Sequence, residues 1–150
     1  MKSDMMIKKA TTSDLHVLST LALHLWPEHT AEALAEEFSE AIKQDTAQFF
    51  LLYDGNEAIG FAQCGLRYDY VEGTESSPVG YLEGIFVKEA HRRKGCAVQL
   101  LSACEDWART QGCQEFASDC EFSNAASLAF HLGAGFAEAN RIICFTKKLS

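Results

Sequence analysis

The sequence has few of the features that mark membrane, secreted or nucleic-acid-binding proteins. Its longest apolar runs, such as Phe49–Tyr53, are far too short to cross a bilayer. The segment Met1-Lys2-Ser3-Asp4 lacks the apolar stretch of a signal peptide, so we expect a cytosolic protein. The 13 Lys and Arg are outnumbered by 21 Asp and Glu, which gives a formal charge of −8. This sign disfavours nucleic acid and anionic membranes and favours a cationic substrate, although it also serves solubility.

Cysteine spacing shows neither a disulfide framework nor a metal site. No two cysteines form a CxxC pair, and none combines with histidine at zinc-finger spacing. The six are Cys64, Cys96, Cys104, Cys113, Cys120 and Cys144. We expect reduced thiols, most of them small core residues, and no bound metal. Cys96 and Cys120 lack an evident base partner, which disfavours a nucleophilic cysteine mechanism.

Length and composition suit one globular domain over residues 1–150. The chain is 47% hydrophobic and 23% charged, with no internal repeat and no linker that would divide it. Met6–Lys9 could be a first strand, and Thr11-x-x-Asp14 resembles a capping box that opens a helix. That helix should end before Trp26-Pro27, and Thr30 should cap a second helix. Strands are predicted at Ala47–Tyr53, Glu57–Tyr70 and Tyr81–Val87, with a hairpin turn at Asp54-Gly55-Asn56.

The second half alternates helices and strands. Helices are predicted over Ala97–Thr110 and from Asn124 to about Ala134, with Gly112 and Gly135 as stops. Strands are predicted at Gln114–Cys120, Phe136–Glu138 and Arg141–Lys147. The order predicts an α/β (mixed α+β) fold, in which a mixed sheet carries helices on its faces.

A basic loop between a predicted strand and a predicted helix is the strongest candidate for a ligand site. Its core reads Arg92-x-x-Gly95-x-Ala97. Gly95 permits close backbone approach, and the helix N-terminus offers unpaired N–H groups to an anion. Arg92, Arg93 and Lys94 add positive charge to an otherwise acidic chain. The loop therefore favours a phosphate-bearing cofactor, although a basic turn that only caps a helix has the same composition. It is neither a Walker loop nor GxGxxG.

These residues resemble the GNAT superfamily of N-acetyltransferases. The loop is similar to its acetyl-CoA loop, and Asn124-x-x-Ser127-x-x-Phe130-His131 with Gly135-Phe136 resembles a later block. More narrowly, Tyr81-Leu82-Glu83-Gly84-Ile85-Phe86-Val87, Glu115–Cys120, Asn140–Phe145 and Leu25-Trp26-Pro27 look like the aminoglycoside 6'-N-acetyltransferases. The resemblance implies a mostly antiparallel central sheet, about four flanking helices and a splayed pair of strands at the acetyl-CoA site.

The resemblance also implies roles for individual residues. The backbone of Ile85, Phe86 and Val87 would hold the pantetheine arm, and Asn124 would lie near the pantetheine or the thioester end. The N–H groups of the loop would hold the pyrophosphate: Arg92, Arg93, Lys94, Gly95, Cys96 and Ala97. The candidates for the aminoglycoside side are Trp26, Tyr68, Asp69, Tyr70, Glu72, Glu83, Asp119 and Glu138. Members of the narrower family are typically homodimers. His131 stands where many GNAT enzymes carry a tyrosine proposed to protonate the leaving thiolate.

Glu83 and Asp119 are the candidate proton acceptors. An amine must lose a proton before it attacks a thioester, and a carboxylate can accept that proton directly or through water. Both lie on strands with apolar neighbours, where a bound ammonium would compensate the charge. Either could instead face solvent or cap a strand end. Trp26 could equally be a core residue, and Tyr68 and Tyr70 could pack on the core.

Four other functions remain open at this point. The acidic loop also suits a polyamine, and the same fold acetylates protein N-termini. A non-catalytic acyl-CoA-binding regulator would keep the cofactor loop without turnover. A purely structural module would leave the loop without a purpose. Fold alone does not decide between these, because function resides in the site.

Overall fold

The computed structural model describes residues 5–150 and centres on a five-stranded sheet. The strands are β1 Met5–Lys9, β2 Ala47–Asp54, β3 Glu57–Arg67, β4 Val79–Val87 and β5 Phe116–Ala117, in that spatial order. The first four pair antiparallel, and β5 pairs parallel to β4. The predicted mixed, mostly antiparallel sheet is confirmed.

The helices lie on both faces of the sheet. They are α1 Leu15–Ala22, α2 Ala31–Ile42, α3 Cys96–Thr110 and α4 Ala125–Gly133. Short 3-10 turns occupy Thr12–Asp14 and Glu89–His91. The Thr30 hydroxyl accepts the Ala33 N–H at 3.1 Å, and Asn124 Oδ1 accepts the Ser127 N–H at 3.0 Å. These are the caps that the sequence predicted. None of the helices in the described residues is long and apolar enough to cross a membrane.

Alternating side chains of β2 explain its unbroken apolar sequence. Phe49 and Leu51 face a core shared with α1 and α2, whereas Phe50 and Leu52 face a core shared with α3. A strand covered on both faces needs apolar residues at successive positions. The sheet therefore separates two cores, and β4 and β5 lie at one side of it.

β5 is much shorter than the predicted strand Gln114–Cys120. It pairs with β4 only through Gly80↔Phe116 and Tyr81↔Ala117. Beyond Tyr81, β4 continues to Val87 without a further pairing to β5. The two parallel strands therefore diverge, and a strand that has no neighbour cannot extend its ladder. This divergence is the splay that the resemblance implied.

The predicted closing strands Phe136–Glu138 and Arg141–Lys147 are wrong. Neither forms a strand, and every residue from 137 to 150 is exposed. Their β-branched and aromatic residues favour a strand, but a strand also needs a neighbour to pair with, and within residues 5–150 no strand pairs with these segments. The buried core residues of the described chain all lie between Ala10 and Ala108. Most of the six cysteines were expected in the core, but only Cys64, Cys96 and Cys104 are buried, whereas Cys113 is half-buried and Cys120 and Cys144 are exposed.

Candidate active site

β4 carries a β-bulge at Glu83, where the site begins. Gln63 of β3 lies opposite Gly84, and Cys64 lies opposite Leu82, so Glu83 has no partner on β3. Such a bulge breaks the alternation of side chains and redirects one of them. A Cβ at position 84 would come within 2.7 Å of the Trp26 ring. The indole can therefore lie against the β4 backbone beside Glu83 only because residue 84 is glycine.

Glu83 opens into a cavity of about 310 Å³ between β3, β4 and the α1–α2 connection. The lining residues are Trp26, His29, Leu34, Glu37, Phe38, Gln63 and Glu83. The Trp26 ring meets Phe38 and Phe61 edge-on, with centroid separations of 6.4 and 6.3 Å. Trp26 thus packs on the core and also lines the cavity, so its two interpretations are compatible.

A chain of contacts joins Glu83 to Asp119. Arg67 Nη2 donates to Glu83 Oε1 at 3.0 Å and to Oε2 at 3.2 Å. The Arg67 guanidinium lies over the Tyr81 ring, with Cζ 3.4 Å from its centroid. The Tyr81 hydroxyl donates to Asp119 Oδ2. Burial and the hydrogen bond to Asp119 raise the pKa of Tyr81, which keeps its hydroxyl a donor.

His131 is held at both ring nitrogens. Its Nδ1 lies 2.7 Å from the Ser127 carbonyl oxygen, which can only accept, so Nδ1 carries a hydrogen. Its Nε2 lies 2.8 Å from the Ser118 hydroxyl. Ser118 directly precedes Asp119 in the segment that leaves β5. The splay therefore brings His131, through Ser118, next to Asp119.

The loop after β3 forms a second group of acidic and aromatic residues. Tyr68 and Tyr70 are 60% and 77% exposed, so neither packs on the core. Tyr70 donates to Glu72, which also accepts from Asn140 at 2.9 Å. Glu138 pairs with Arg141, and Asp69 is exposed in the same loop. Among the described contacts, none joins this group to Glu83 or Asp119.

The basic loop after β4 has the backbone of an anion site. Arg93 has φ 65° and Gly95, the N-cap of α3, has φ 78°. Left-handed residues in such a turn gather successive N–H groups into a concave nest. Cys96 and Ala97 then begin α3, where the first N–H groups have no preceding carbonyl in the helix. Arg93 and Lys94 are exposed there, whereas the Cys96 side chain is buried in the core.

The β2–β3 hairpin fixes this loop from one side. His91 Nε2 lies 3.2 Å from Asp54 Oδ2, and Lys88 Nζ lies 3.2 Å from Glu57 Oε2. Arg92 Nε donates to the Val87 carbonyl at 2.8 Å, so its side chain turns back along β4. The loop is thus held in place before any ligand binds. No spacing in the sequence predicts that these residues pair.

One edge of β4 is open along the predicted cofactor-binding segment. β3 pairs with Ile85, Phe86 and Val87 through Ala62, Phe61 and Gly60. On the other edge, no strand of residues 5–150 pairs with β4 beyond Tyr81. An amide-containing chain can add to such an edge as a further strand. Asn124 caps α4, which follows the splayed segment in the sequence. Its contact with a cofactor stays a prediction.

The structure unites much of the predicted site and adds residues that the sequence pattern did not single out. Trp26 and Glu83 share one cavity, and Asp119 joins Glu83 through two residues. Those two, Arg67 and Tyr81, were missed, as was Ser118. An arginine that ends an otherwise apolar strand was the available signal for Arg67. Contacts across three strands could not be read from spacing.

A family comparison matches most of the chain. The model of the acetyltransferase (GNAT) family matches residues 15–136. The chain is 39% identical over 145 residues to aminoglycoside N(6')-acetyltransferase type 1 of Acinetobacter haemolyticus, covering 97% of this chain and 99% of that protein. It is 40% identical over 128 residues to the enzyme of the same name from Salmonella typhimurium, covering 85% and 88%.

Solved structures resemble the whole fold. AAC(6')-Iy in complex with the bisubstrate analogue CoA-S-monomethyl-acetylneamine gives a TM-score of 0.93 at 38% identity, covering 97% of this chain and 99% of that one. AAC(6')-Iy in complex with CoA gives 0.95 at 37% identity, covering 99% and 97%. AAC(6')-Ih from Acinetobacter baumannii gives 0.90 at 39% identity, covering 97% and 99%.

Proposed function

The chain belongs to the GNAT family of acetyltransferases, and on that premise we propose that it acetylates the 6'-amine of aminoglycosides with acetyl-CoA. We take residues 1–150 as one acetyltransferase domain. The observation that carries the proposal is the placement of two carboxylates, Glu83 and Asp119, at a splay that adjoins an anion-binding loop. One side of this junction suits a polyphosphate, and the other suits an ammonium.

Residues of the cofactor side fit acetyl-CoA. The open edge of Ile85–Val87 offers backbone groups to the amides of the pantetheine arm. The nest from Arg93 to Ala97 offers N–H groups to a pyrophosphate, with the charges of Arg92, Arg93 and Lys94 around it. Asn124 would lie toward the thioester end. When bound, acetyl-CoA supplies a thioester carbonyl that an amine attacks, so that an amide forms and coenzyme A leaves as a thiol.

The acceptor side prepares the amine. Glu83 or Asp119 accepts a proton from the substrate ammonium, directly or through water, and the neutral nitrogen can then attack. The Tyr81 hydroxyl holds the Asp119 carboxylate in position. Trp26 forms a flat apolar wall of the cavity, which suits a sugar face. The two reactants meet in one ternary complex, and most of the acceleration comes from holding them together.

His131 is the candidate source of the proton for the leaving sulfur. Because Nδ1 is engaged by a carbonyl, the proton must pass through Nε2 and the Ser118 hydroxyl. A protonated imidazole gives its Nε2 proton to Ser118 as Ser118 gives its own to sulfur. If the two act as one unit, His131→Asn and Ser118→Ala each lower kcat, and the double variant falls no further. Additive losses would contradict the relay.

We place the remaining substrate candidates farther from the reacting amine than Glu83 and Asp119. Tyr68, Asp69, Tyr70 and Glu72 present exposed rings and carboxylates on one loop, and Glu138 adds another carboxylate. We propose that they contact the other rings of a polycationic sugar through cation–π and ionic contacts.

Product identification tests the function. Purified protein is incubated with acetyl-CoA and tobramycin, spermidine or a short peptide, and each mixture is analysed by mass spectrometry and NMR. We expect one added acetyl group on tobramycin, at the 6'-nitrogen. If only spermidine or the peptide were acetylated, the substrate would be a polyamine or a peptide and not an aminoglycoside. No product in any tube, despite acetyl-CoA binding, would indicate a non-catalytic regulator.

We propose that the enzyme is a homodimer in which residues 137–150 pack against the second copy. Ile142, Ile143, Phe145 and Leu149 are 73–91% exposed, and apolar surface of this extent is typical of an interface. Light scattering after gel filtration should give twice the chain mass for the full chain. A variant truncated after Asn140 should elute as a monomer. A full chain that is monomeric at micromolar concentration would contradict the proposal.

A cytoplasmic location and a resistance phenotype complete the proposal. Six free cysteines suit a reducing compartment, where acetyl-CoA is also available. Expression in a susceptible bacterium should raise the inhibitory concentration of tobramycin but not of a 6'-hydroxyl aminoglycoside. Equal inhibitory concentrations with and without the protein would contradict a role in resistance.

A further inference from the structure

Arg67 occupies a position that suits the cationic group of a ligand. Its guanidinium donates to both Glu83 carboxylate oxygens, at 3.0 and 3.2 Å, and stacks on Tyr81 at 3.4 Å. A carboxylate beside an aromatic face is a favourable environment for any cation, whether guanidinium or ammonium. The site that the proposed function assigns to a substrate ammonium is therefore already filled by the chain itself.

The Arg67 side chain is placed so that it can leave. It ends β3, immediately before the loop Tyr68–Pro78, and is 44% exposed. Glu83 is 34% exposed in the same pair. Exposed ion pairs contribute little net stability, because both partners are well solvated when they separate. Exchange of one cation for another at Glu83 is consequently not costly.

Without substrate, Glu83 is paired with a cation that the chain itself supplies, Arg67. Glu83 lies at a bulge next to Trp26, between apolar neighbours on β4. Among the described residues, no other Lys or Arg pairs with Glu83. In the described structure Arg67 is therefore the cation that occupies the place beside Glu83.

We infer that Arg67 is a stand-in cation, which holds Glu83 in the free enzyme and is displaced from it by a substrate ammonium. This inference rests on the proposed function, since it requires a cationic amine as substrate. It makes Arg67 a specificity-determining residue that competes with the substrate. A substrate with fewer positive charges near the reacting amine would displace it less well.

Loss of Arg67 should therefore change KM in the opposite direction to loss of a residue that binds the substrate. Arg67→Gln should lower the KM for tobramycin about two- to fivefold, which is the factor that an exposed ion pair of this kind is worth. The value of kcat should change less than twofold. If Arg67 instead contacted the substrate or braced the fold, its loss would raise KM or lower kcat.

A double-mutant cycle makes the test specific. In a Glu83→Gln background, Arg67 has no carboxylate to hold, so Arg67→Gln should no longer increase tobramycin affinity in calorimetric titrations. The matched control is Arg109→Gln, which removes an arginine paired with Asp106 on the surface of α3. This control corrects for the change of net charge and should leave KM unchanged.

The outcomes separate this inference from the proposed function. If the wild-type protein does not acetylate tobramycin, the proposed function is wrong. Active wild type combined with an unchanged or higher KM in Arg67→Gln overturns the stand-in role only. The same affinity gain in Arg109→Gln, or in the Glu83→Gln background, also overturns it, because the gain would then reflect net charge.

Discussion

The cofactor loop is built from neighbouring residues, whereas the acceptor site is built across the sheet. Val87–Ala97 forms one turn between β4 and α3, and its two left-handed residues are two positions apart. The acceptor site joins Arg67 of β3, Tyr81 and Glu83 of β4 and Asp119 beyond β5. The first region is positive and exposed, and the second is rich in carboxylates and partly enclosed.

The proposed function requires one acidic chain to bind two ligands of opposite charge, and the two regions differ in the way this would need. The anion site uses backbone N–H groups and three local cations, so it is independent of the net charge of −8. The cation site uses carboxylates that the sheet brings together. The two regions meet where β4 and β5 diverge. Variants should therefore affect the two binding events separately.

The largest expected effect is on the acceptor side. Glu83→Gln removes a proposed proton acceptor and should lower kcat about a hundredfold or more. The Kd for acetyl-CoA should stay the same, because the loop after β4 is untouched. Glu40→Gln on α2 is the control, since Glu40 is an exposed carboxylate paired with Lys43. Activity within twofold of wild type would remove Glu83 from the chemistry.

A glycine pair provides the corresponding test of the cofactor side. Gly95→Val forces a β-branched residue into φ 78° and should weaken acetyl-CoA binding about 5- to 30-fold, from the cost of a left-handed residue. Gly112→Val imposes the same strain at φ 89°, and neither position has an atom within 4 Å of the new Cβ. The loop at residue 95 relaxes in the free variant and must regain φ 78° when the cofactor binds, so Gly95→Val should change the Kd measured by calorimetry, whereas Gly112→Val should lower Tm only. Equal Kd values would show that the loop does not contact the cofactor.

A smaller effect separates the two carboxylates of the acceptor site. Tyr81→Phe keeps the ring under Arg67 but removes the hydrogen bond to Asp119, and should lower kcat about three- to tenfold. A steady-state assay measures this loss, and Tyr53→Phe on β2 is the control. Unchanged kcat in Tyr81→Phe would mean that Asp119 needs no such support.

The same hydroxyl predicts a pH dependence of stability. The folded protein raises the pKa of Tyr81 through burial and Asp119, so the stabilising contribution is fully present below the ordinary tyrosine pKa of about 10. It is lost as the pH rises through the higher folded pKa. The difference in unfolding free energy between wild type and Tyr81→Phe should therefore shrink as the pH rises above about 10, the ordinary tyrosine pKa. A constant difference in urea titrations would contradict this assignment.

The smallest expected effect lies outside both regions. Burial opposes ionisation of Asp14, but hydrogen bonds from Thr11 and Lys8 lower its pKa overall. Asp14→Asn should lose about 1 kcal/mol of stability, as other N-terminal caps do. The loss should be present at pH 7, above the ordinary Asp pKa, and disappear as the pH falls through the lowered folded pKa. Urea unfolding measures it, and KM for both substrates should be unchanged. A changed KM would show that α1 and the site are coupled.

The sequence predicted what is local and missed what needs distant partners. Capping residues such as Thr30 and Asn124 and the turn at Gly55 depend on few neighbours, and each was placed correctly, whereas cofactor binding by the loop after β4 stays a prediction. Arg67 depends on the register of β3 against β4 and on a bulge, which periodicity does not reveal. The closing strands failed for a similar reason. Their residues have strand propensity, but within residues 5–150 no strand pairs with residues 141–147.

The initial rate of thiol release tests the central claim most directly. It is measured with tobramycin and with a 6'-hydroxyl analogue, while acetyl-CoA is varied at several fixed acceptor concentrations. Direct transfer between the two regions predicts release with tobramycin only, with intersecting double-reciprocal lines. Equal release with the hydroxyl analogue, or parallel lines that indicate an acetylated enzyme, would contradict the account.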